Sequence, residues 1–350
     1  MKPLRHWLPW TLGVFALLPI PISALSWDVF GDTLSLLFVY AILALALNVV
    51  VGYAGNLHLG IAAFFAIGVY VTAILCAQSY PFQIGVFPSL LAALCAAGLV
   101  GLMVGAPTLR LRGDYLALVT LGFGEVIKDT LMNWSAITNG SQGISGVVTP
   151  QFPAWLADWI TQRGGNPDWA TNYLWFYYFL LACLALVLWL LGNLESSRLG
   201  RAWVALREDE LAAQCMGLNV TRLKLAAFAI ASALAGFAGG LYVMKIQNTA
   251  NPESYGFNLS IEILMCVILG GLGSRRGVLL GVLLVKGFDL ILLPALSQQI
   301  AANSEWLKPD NYKLMIYGMA LVLMMQFRPA GIFPEERIAH ELQDPPPAAA

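Results

Sequence analysis

Ionisable side chains inside apolar stretches are the residues of this sequence best suited to chemistry. Glu125, Lys128 and Asp129 stand at positions i, i+3 and i+4 of one stretch, and Lys286 and Asp289 stand three apart in another. At these spacings side chains on one helix can form ion pairs. The spacing predicts charge pairs inside apolar helices. For the first group, a cluster of catalytic groups is the alternative.

Four further polar residues in apolar surroundings have no partner close in the sequence: Asn48, Asn56, His58 and Glu262. A polar group inside a membrane-spanning segment is costly and is therefore a candidate for a functional site. Together with Glu125, these residues are candidates for lining a polar path for a substrate. For Glu125, as for the other residues of the two charge groups, the alternative is internal charge satisfaction in a helix that faces protein or water.

Enzyme motifs are absent from the sequence. It contains no Gly-Lys pair, which a Walker A loop requires, and neither HExxH nor GxSxG. The five cysteines lie far apart without CxxC spacing, and the three histidines share no helical face. We therefore expect no metal site, no bound cofactor and no enzymatic activity.

The composition is that of a membrane protein. Hydrophobic residues make up 59% of the 350 residues and charged residues only 11%, against about 25% in soluble domains. A helix needs roughly 20 apolar residues to cross the hydrocarbon of a bilayer. The sequence therefore predicts an all-α polytopic membrane protein with about ten transmembrane helices. The ten stretches are 8–26, 33–52, 57–77, 87–107, 114–134, 173–192, 223–244, 258–273, 277–296 and 311–327.

The basic residues assign sides to these stretches, because cytoplasmic loops collect Lys and Arg. Ten spans with both termini in the cytoplasm fit the distribution best, provided that 8–26 is a span and not a cleaved signal peptide. Residues 1–337 then form one transmembrane domain, with loop 193–222 in the cytoplasm and loop 135–172 outside. The Pro- and Ala-rich tail 338–350 is expected to be disordered.

The cytoplasmic loop carries an apolar stripe that ends in small residues. As one continuous helix, the loop places six residues on one face at steps of four and three: Leu199, Trp203, Leu206, Glu210, Ala213 and Gly217. After them, Asn219, Val220 and Thr221 predict a break and an N-cap before the next span. Small residues at the end of such a stripe favour docking into a groove of another protein. The alternative is an amphipathic helix that lies on lipid.

Two glycine-rich stretches, 51–60 and 269–277, join successive predicted spans. They contain the expected structural glycines Gly52, Gly55, Gly60, Gly271, Gly273 and Gly277. The spacing does not match a dinucleotide-binding loop. Tight turns and close approach of helices explain these glycines better.

Several motifs together resemble one family. The stretch SRLGRAWVALREDELAAQCMGLNVTRLKL resembles the cytoplasmic coupling loop of ABC-importer permeases. Others, such as ALNVVVGYAGNLHLGIAAFFAIGVY and ILGGLGSRRGVLLGVLL, resemble segments of the branched-chain (hydrophobic) amino-acid permeases of the LivM type. The resemblance covers roughly residues 33 to 335. The family's Ala-Ala-x-x-x-Gly falls on Ala212, Ala213 and Gly217, but the acid before it stands one position early, at Glu210.

The resemblance implies a cytoplasmic coupling helix and a function. It implies a permease subunit of the inner membrane that imports branched-chain or related amino acids by alternating access. Its partners would be a second homologous permease, two cytoplasmic subunits that hydrolyse ATP and an extracytoplasmic substrate-binding protein. A permease for urea or short amides and an ATP-independent channel or facilitator remain alternatives.

Overall fold

Helices make up nearly all regular structure in the part of the chain that the computed structural model describes. That part comprises residues 28–108, 114–148, 173–249, 251–294, 309–328 and 331–333, with the single positions 158, 161 and 297. The longer helices are α1 (Asp28–Asn48), α2 (Ile61–Cys76), α3 (Val86–Thr108), α4 (Asp114–Asn133), α5 (Tyr173–Ser196), α6 (Arg198–Glu208), α7 (Glu210–Cys215), α8 (Val220–Ile246), α9 (Phe257–Gly270), α10 (Arg275–Gly287) and α11 (Pro309–Phe327). Within those residues, β pairing is limited to two isolated antiparallel bridges, Ala77–Val147 and Ser145–Asn248.

Five of the described helices are long and apolar enough to cross a membrane. They cover Gly31–Tyr53, Val86–Pro107, Leu174–Ser196, Val220–Ile246 and Pro252–Gly270. Shorter apolar helices cover Ile61–Cys76 and Tyr312–Met324. The predicted stretch 8–26, the tail 338–350 and most of 149–172 lie outside the described residues. Each of the other nine predicted stretches overlaps a helix.

The core is built around α1 and α8, which are the most buried of the long apolar helices. Small residues let α8 approach its neighbours closely. A side chain at Gly239 would overlap the carbonyl of Phe65 on α2, and one at Gly236 would lie 2.7 Å from the carbonyl of Ala93 on α3. Such small-residue contacts are typical of helix packing in membranes, where close approach gives van der Waals contact.

Helices α9 and α10 also meet at glycines. A side chain at Gly281 would overlap the carbonyl of Cys266, and Gly270 and Gly277 stand against each other's backbone. The short connection between the two helices therefore places their backbones in near contact.

Two helices end in a turn of π-helix instead of continuing as regular α-helix. Residues Val49–Tyr53 extend α1, and Phe288–Leu292 extend α10. A short non-helical stretch, residues 54–60, then separates α1 from α2, so α2 begins at Ile61 and not near residue 57. Turns of π-helix are frequent at functional sites.

The polar segment, residues 193–222, is not one continuous helix, and that prediction is wrong. Helix α6 ends at Glu208. The backbone of Asp209 is extended (φ −153°, ψ 113°), and α7 begins at the next residue. The Asp209 carboxylate accepts hydrogen bonds from the backbone N–H groups of Leu211 (2.8 Å) and Ala212 (3.0 Å). A short acidic side chain competes in this way with helical hydrogen bonding and starts a new helix. The predicted break and N-cap at Asn219 are confirmed, since its side chain accepts from the N–H of Arg222.

At the opposite end of the helical bundle, residues after α4 pack against the end of α8. The N–H of Ile144 donates to Thr249 Oγ1 at 2.8 Å, and the N–H of Thr249 donates to the carbonyl of Ile144 at 2.9 Å. The described part of loop 135–172 is therefore ordered by contacts with the helix ends.

Candidate functional site

Half of the predicted coupling stripe packs inside the chain. Trp203, Leu206 and Ala213 are buried, and Trp203 Nε1 donates a hydrogen bond to the carbonyl of Leu223 at 2.8 Å. The hydrogen bond of Trp203 ties α6 to the start of α8, and all three side chains are turned into the chain. They do not present a surface to another protein in this structure.

The exposed face of the polar segment is at α7. Leu211 is 65% exposed and Met216 is 83% exposed, and Ala212 and Gly217 are exposed beside them. Gly217 has φ +81°, and no described atom lies within 4 Å of the place its side chain would take. Leu199, the first residue of the stripe, is also exposed but lies on α6. The apolar residues available to a partner are therefore mostly Leu211 and Met216, which the stripe did not include.

Glu210 forms an ion pair within the chain. Its carboxylate lies 2.9 Å from the ammonium group of Lys224 on α8, and Lys224 is buried. The pair fixes the start of α7 to α8 across the tight turn that joins them. Glu210, the acid that stands one position early in the family's pattern, therefore has a structural role within this chain.

Arg207 joins α6 to the first glycine-rich turn. Its Nη1 donates a hydrogen bond to the carbonyl of Gly52, at 2.5 Å. A side chain on Gly55, which has φ +68°, would lie 2.9 Å from Arg207 Cγ. The turn therefore needs glycine at position 55, both for its backbone conformation and for the close approach of α6.

The two glycine-rich turns meet each other at Asn48. Asn48 Oδ1 accepts a hydrogen bond from the N–H of Gly273 at 3.0 Å, and a side chain on Gly52 would lie 2.7 Å from that same nitrogen. Asn48 was a candidate for a substrate path, and the structure uses its oxygen to hold two turns together. Gly271 and Gly273 both have positive φ.

Asn56 and His58 lie in the segment between α1 and α2. His58 is buried, with ring centroids 4.9 Å from Phe228 and 5.7 Å from Phe64. The Nδ1 atom of His58 and the Nδ2 atom of Asn56 have no hydrogen-bond partner among the described residues. Gly60 follows, close to the carbonyl of Thr120 on α4. These side chains remain candidates for a polar path.

Glu262, Lys286, Asp289 and Lys313 form a closed network that we call the charge square. Each acid contacts both lysines. Lys286 pairs with Glu262 and lies 3.4 Å from Asp289, while Lys313 lies 2.8 Å from Glu262 and 2.7 Å from Asp289. The Lys286 ammonium group also lies 4.6 Å from the centre of the Tyr40 ring. The square links α9, α10 and α11.

The charge square satisfies Glu262 internally. The predicted contact between Lys286 and Asp289 is present, but Glu262 takes part in it too, through residues distant in the sequence. A carboxylate whose two oxygens already face two ammonium groups has little capacity left for a substrate. Pairing within the protein is how the cost of buried charge is offset.

The second group of charges lies on α4. Lys128 pairs with Glu125 and lies 3.7 Å from Asp129, as the spacing predicts. The other oxygen of Glu125 accepts a hydrogen bond from the N–H of Phe257 at 3.0 Å, which caps the first turn of α9. The side chain of Asp129 is 64% exposed. Glu125 thus has a structural role in joining α4 to α9.

Comparison with known proteins decides the family. Residues 29–325 match the model of the family described as branched-chain amino acid transport system / permease component. The chain belongs to this family.

Two permeases of the family, from Salmonella typhimurium and Escherichia coli, are named high-affinity branched-chain amino acid transport system permease protein LivM. Each is 38% identical to this chain, over 87% of the chain and 70% of its own length. The LivH permease of Salmonella typhimurium is 27% identical over 84% of the chain and 90% of its own length. No solved structure matches. The family consists of transport permeases and is not an enzyme class.

Three contacts of this family permease were not predicted from its sequence. Lys313 completes the charge square, Arg207 joins α6 to α1, and Lys245 pairs with Asp32. All three join residues that are far apart in the chain, so spacing along one helix gives no sign of them. The available signal for Lys313 was its position at the edge of the apolar stretch 311–327.

Proposed function

We propose that this permease is the membrane subunit of an ATP-driven importer for branched-chain or related amino acids. The observation that carries the proposal is the 38% identity to two relatives named as high-affinity branched-chain amino acid permeases, over 87% of this chain. The missing Walker A motif supports an energy source outside the chain. This chain would bind no cofactor, and ATP would be hydrolysed by partner subunits.

The proposed complex contains four kinds of subunit. This chain pairs with a second homologous permease, two cytoplasmic ATP-binding subunits bind the pair, and an extracytoplasmic protein delivers the substrate. The existence of relatives named both LivM and LivH supports a pair of different permeases. The complex lies in the inner membrane, with ten spans in this chain and both termini in the cytoplasm.

The proposed contact with an ATP-binding subunit is the exposed face of α7. Leu211, Ala212, Met216 and Gly217 point away from the rest of the chain, and apolar side chains beside small residues suit a protein groove. Trp203, Leu206 and Ala213 act behind this face by fixing it to α8. In this way the surface is both exposed to a partner and held firmly by the permease.

The proposed transport step is alternating access. When the ATP-binding subunits close, the polar segment moves with them and rocks the helices attached to it, so that the path opens on the other side. The ion pair of Glu210 with Lys224 and the hydrogen bond of Trp203 to Leu223 support movement of α6 and α7 together with α8. Selectivity rests largely with the binding protein.

Copurification tests the proposal. The tagged chain is extracted in mild detergent from its native host, and the bound proteins are identified. We expect ATP-binding subunits and a second permease in stoichiometric amounts. Recovery of the chain without an ATPase, together with substrate conduction by the purified chain alone, would support a channel and contradict an importer.

A further inference from the structure

The end of α1 is held by a residue of the polar segment. Gly52 lies in the π turn that extends α1, and Arg207 Nη1 donates to its carbonyl at 2.5 Å. The last carbonyl groups of a helix have no partner within the helix, and the helix dipole places negative charge there. The guanidinium group of Arg207 supplies both the missing hydrogen-bond donor and a positive charge. Arg207 on α6 therefore caps α1, although the two helices are far apart in the sequence.

The fit between α6 and this turn is tight. At Gly55, a side chain would lie 2.9 Å from Cγ of Arg207 and 3.5 Å from its Cα. The first carbons of the Arg207 side chain, next to the α6 backbone, therefore lie close against Gly55. A displacement of α6 towards α1 brings Arg207 against the backbone of the turn.

The same turn is joined on its other side to the connection between α9 and α10. Asn48 accepts from the N–H of Gly273 at 3.0 Å, and Gly52 stands against that nitrogen. The adjoining end of α9 is bonded to the final described segment, since the N–H groups of Ile332 and Phe333 donate to the carbonyls of Leu269 and Gly270, each at 3.0 Å. Hydrogen bonds thus run from α6 through the end of α1 to the turn after α9.

We infer that Arg207 is the positioning residue through which movement of the polar segment reaches α1 and the turn between α9 and α10. The inference rests on the proposed function and extends it. Helices α5 and α8 follow the polar segment because the chain connects them. Helix α1 is the most buried long apolar helix and has no such connection, and the hydrogen bond of Arg207 to Gly52 ties its end directly to the polar segment.

The test measures substrate moved per ATP hydrolysed by the complete importer complex in proteoliposomes, with Arg207→Ala. We expect this ratio to fall by about tenfold, within the range of known coupling factors. ATP hydrolysis and complex assembly persist, because the exposed face of α7 is unchanged. Arg201→Ala is the matched control: Arg201 lies on the same helix, is exposed, and bonds to the carbonyl of Ser196 at 2.8 Å. Its ratio should stay at the wild-type value.

Two further variants separate coupling from folding. Arg207→Lys keeps the charge without the planar guanidinium, and Gly55→Ala keeps Arg207 but moves α6 away from the turn. Each should assemble and show a lowered ratio. The inference is overturned if Arg207→Ala and Arg201→Ala move the same amount of substrate per ATP hydrolysed. If Arg207→Ala does not assemble, the inference is overturned when both further variants keep the wild-type ratio. Absence of ATP-dependent uptake by the wild-type complex would instead contradict the proposed function.

Discussion

Lys313 Nζ lies 2.8 Å from Glu262 Oε1, across the contact between α11 and α9. The same ammonium group lies 2.7 Å from Asp289, and the other oxygen of Glu262 faces Lys286. Two negative and two positive groups therefore balance within one cluster, in which Glu262 and Lys286 are buried and Asp289 and Lys313 are partly buried. This explains how α9 and α10 carry ionised side chains through an apolar part of the protein.

Removal of one charge from this cluster should destabilise the protein strongly. Glu262→Gln leaves two ammonium groups with one acid, and loss of one partner of a buried pair costs about 3–5 kcal/mol. The measurement is the thermal denaturation midpoint in detergent. The double variant Glu262→Gln/Lys286→Met should recover most of the loss, because Asp289 and Lys313 remain paired at 2.7 Å.

Asp129→Asn is the control for the charge square. The Asp129 side chain is 64% exposed and its contact with Lys128 is 3.7 Å long, so we expect a change below about 1 kcal/mol. If Glu262→Gln and Asp129→Asn lowered the thermal denaturation midpoint equally, this would contradict the large loss of stability expected on removing a charge from the charge square.

The two faces of the polar segment should respond differently to substitution. Met216→Asp or Leu211→Asp places a charge on the exposed face of α7, so binding of the ATP-binding subunits should be lost while the permease stays folded. Trp203→Ala opens a cavity at a buried site and should cost about 3–5 kcal/mol of stability. Copurification and thermal denaturation are measured on each variant. Normal ATPase binding by both aspartate variants would show that the partner binds elsewhere.

Cys215 reports the side of the membrane on which the polar segment lies. It is exposed on α7, whereas Cys76 and Cys266 are buried and Cys95, also exposed, lies within the apolar helix α3. A charged, membrane-impermeant maleimide should label Cys215 in inverted vesicles washed free of peripheral proteins, and should not label it in intact spheroplasts. Cys215→Ser should abolish this signal and thereby identify the site. Labelling of Cys215 from outside would reverse the proposed orientation.

The sequence predicted what depends on local patterns. Long apolar stretches fix the positions of helices, because a helix satisfies its own backbone groups, and nine predicted stretches overlap described helices. Charge pairs three or four residues apart, such as Glu125 with Lys128, also follow from helical geometry. The N-cap at Asn219 is local in the same sense.

What depends on packing was not predicted. The apolar stripe through Trp203 and Leu206 is an equally good signal for a buried face and for a docking face, and the structure places it against α8. The helix break at Asp209 depends on whether a carboxylate bonds to nearby N–H groups or points into solvent, and helical periodicity does not distinguish these. Contacts such as that of Arg207 with Gly52 join distant segments and need the fold itself.

The most direct test of the account is whether amino-acid uptake by this permease requires ATP hydrolysis by its partners. Proteoliposomes that contain the complete complex and the substrate-binding protein are supplied with a labelled branched-chain amino acid, with and without ATP on the side of the ATP-binding subunits. We expect uptake only with ATP, and none when the ATP-binding subunits bind but cannot hydrolyse it. Equal uptake without ATP would contradict the account and identify the chain as a facilitator.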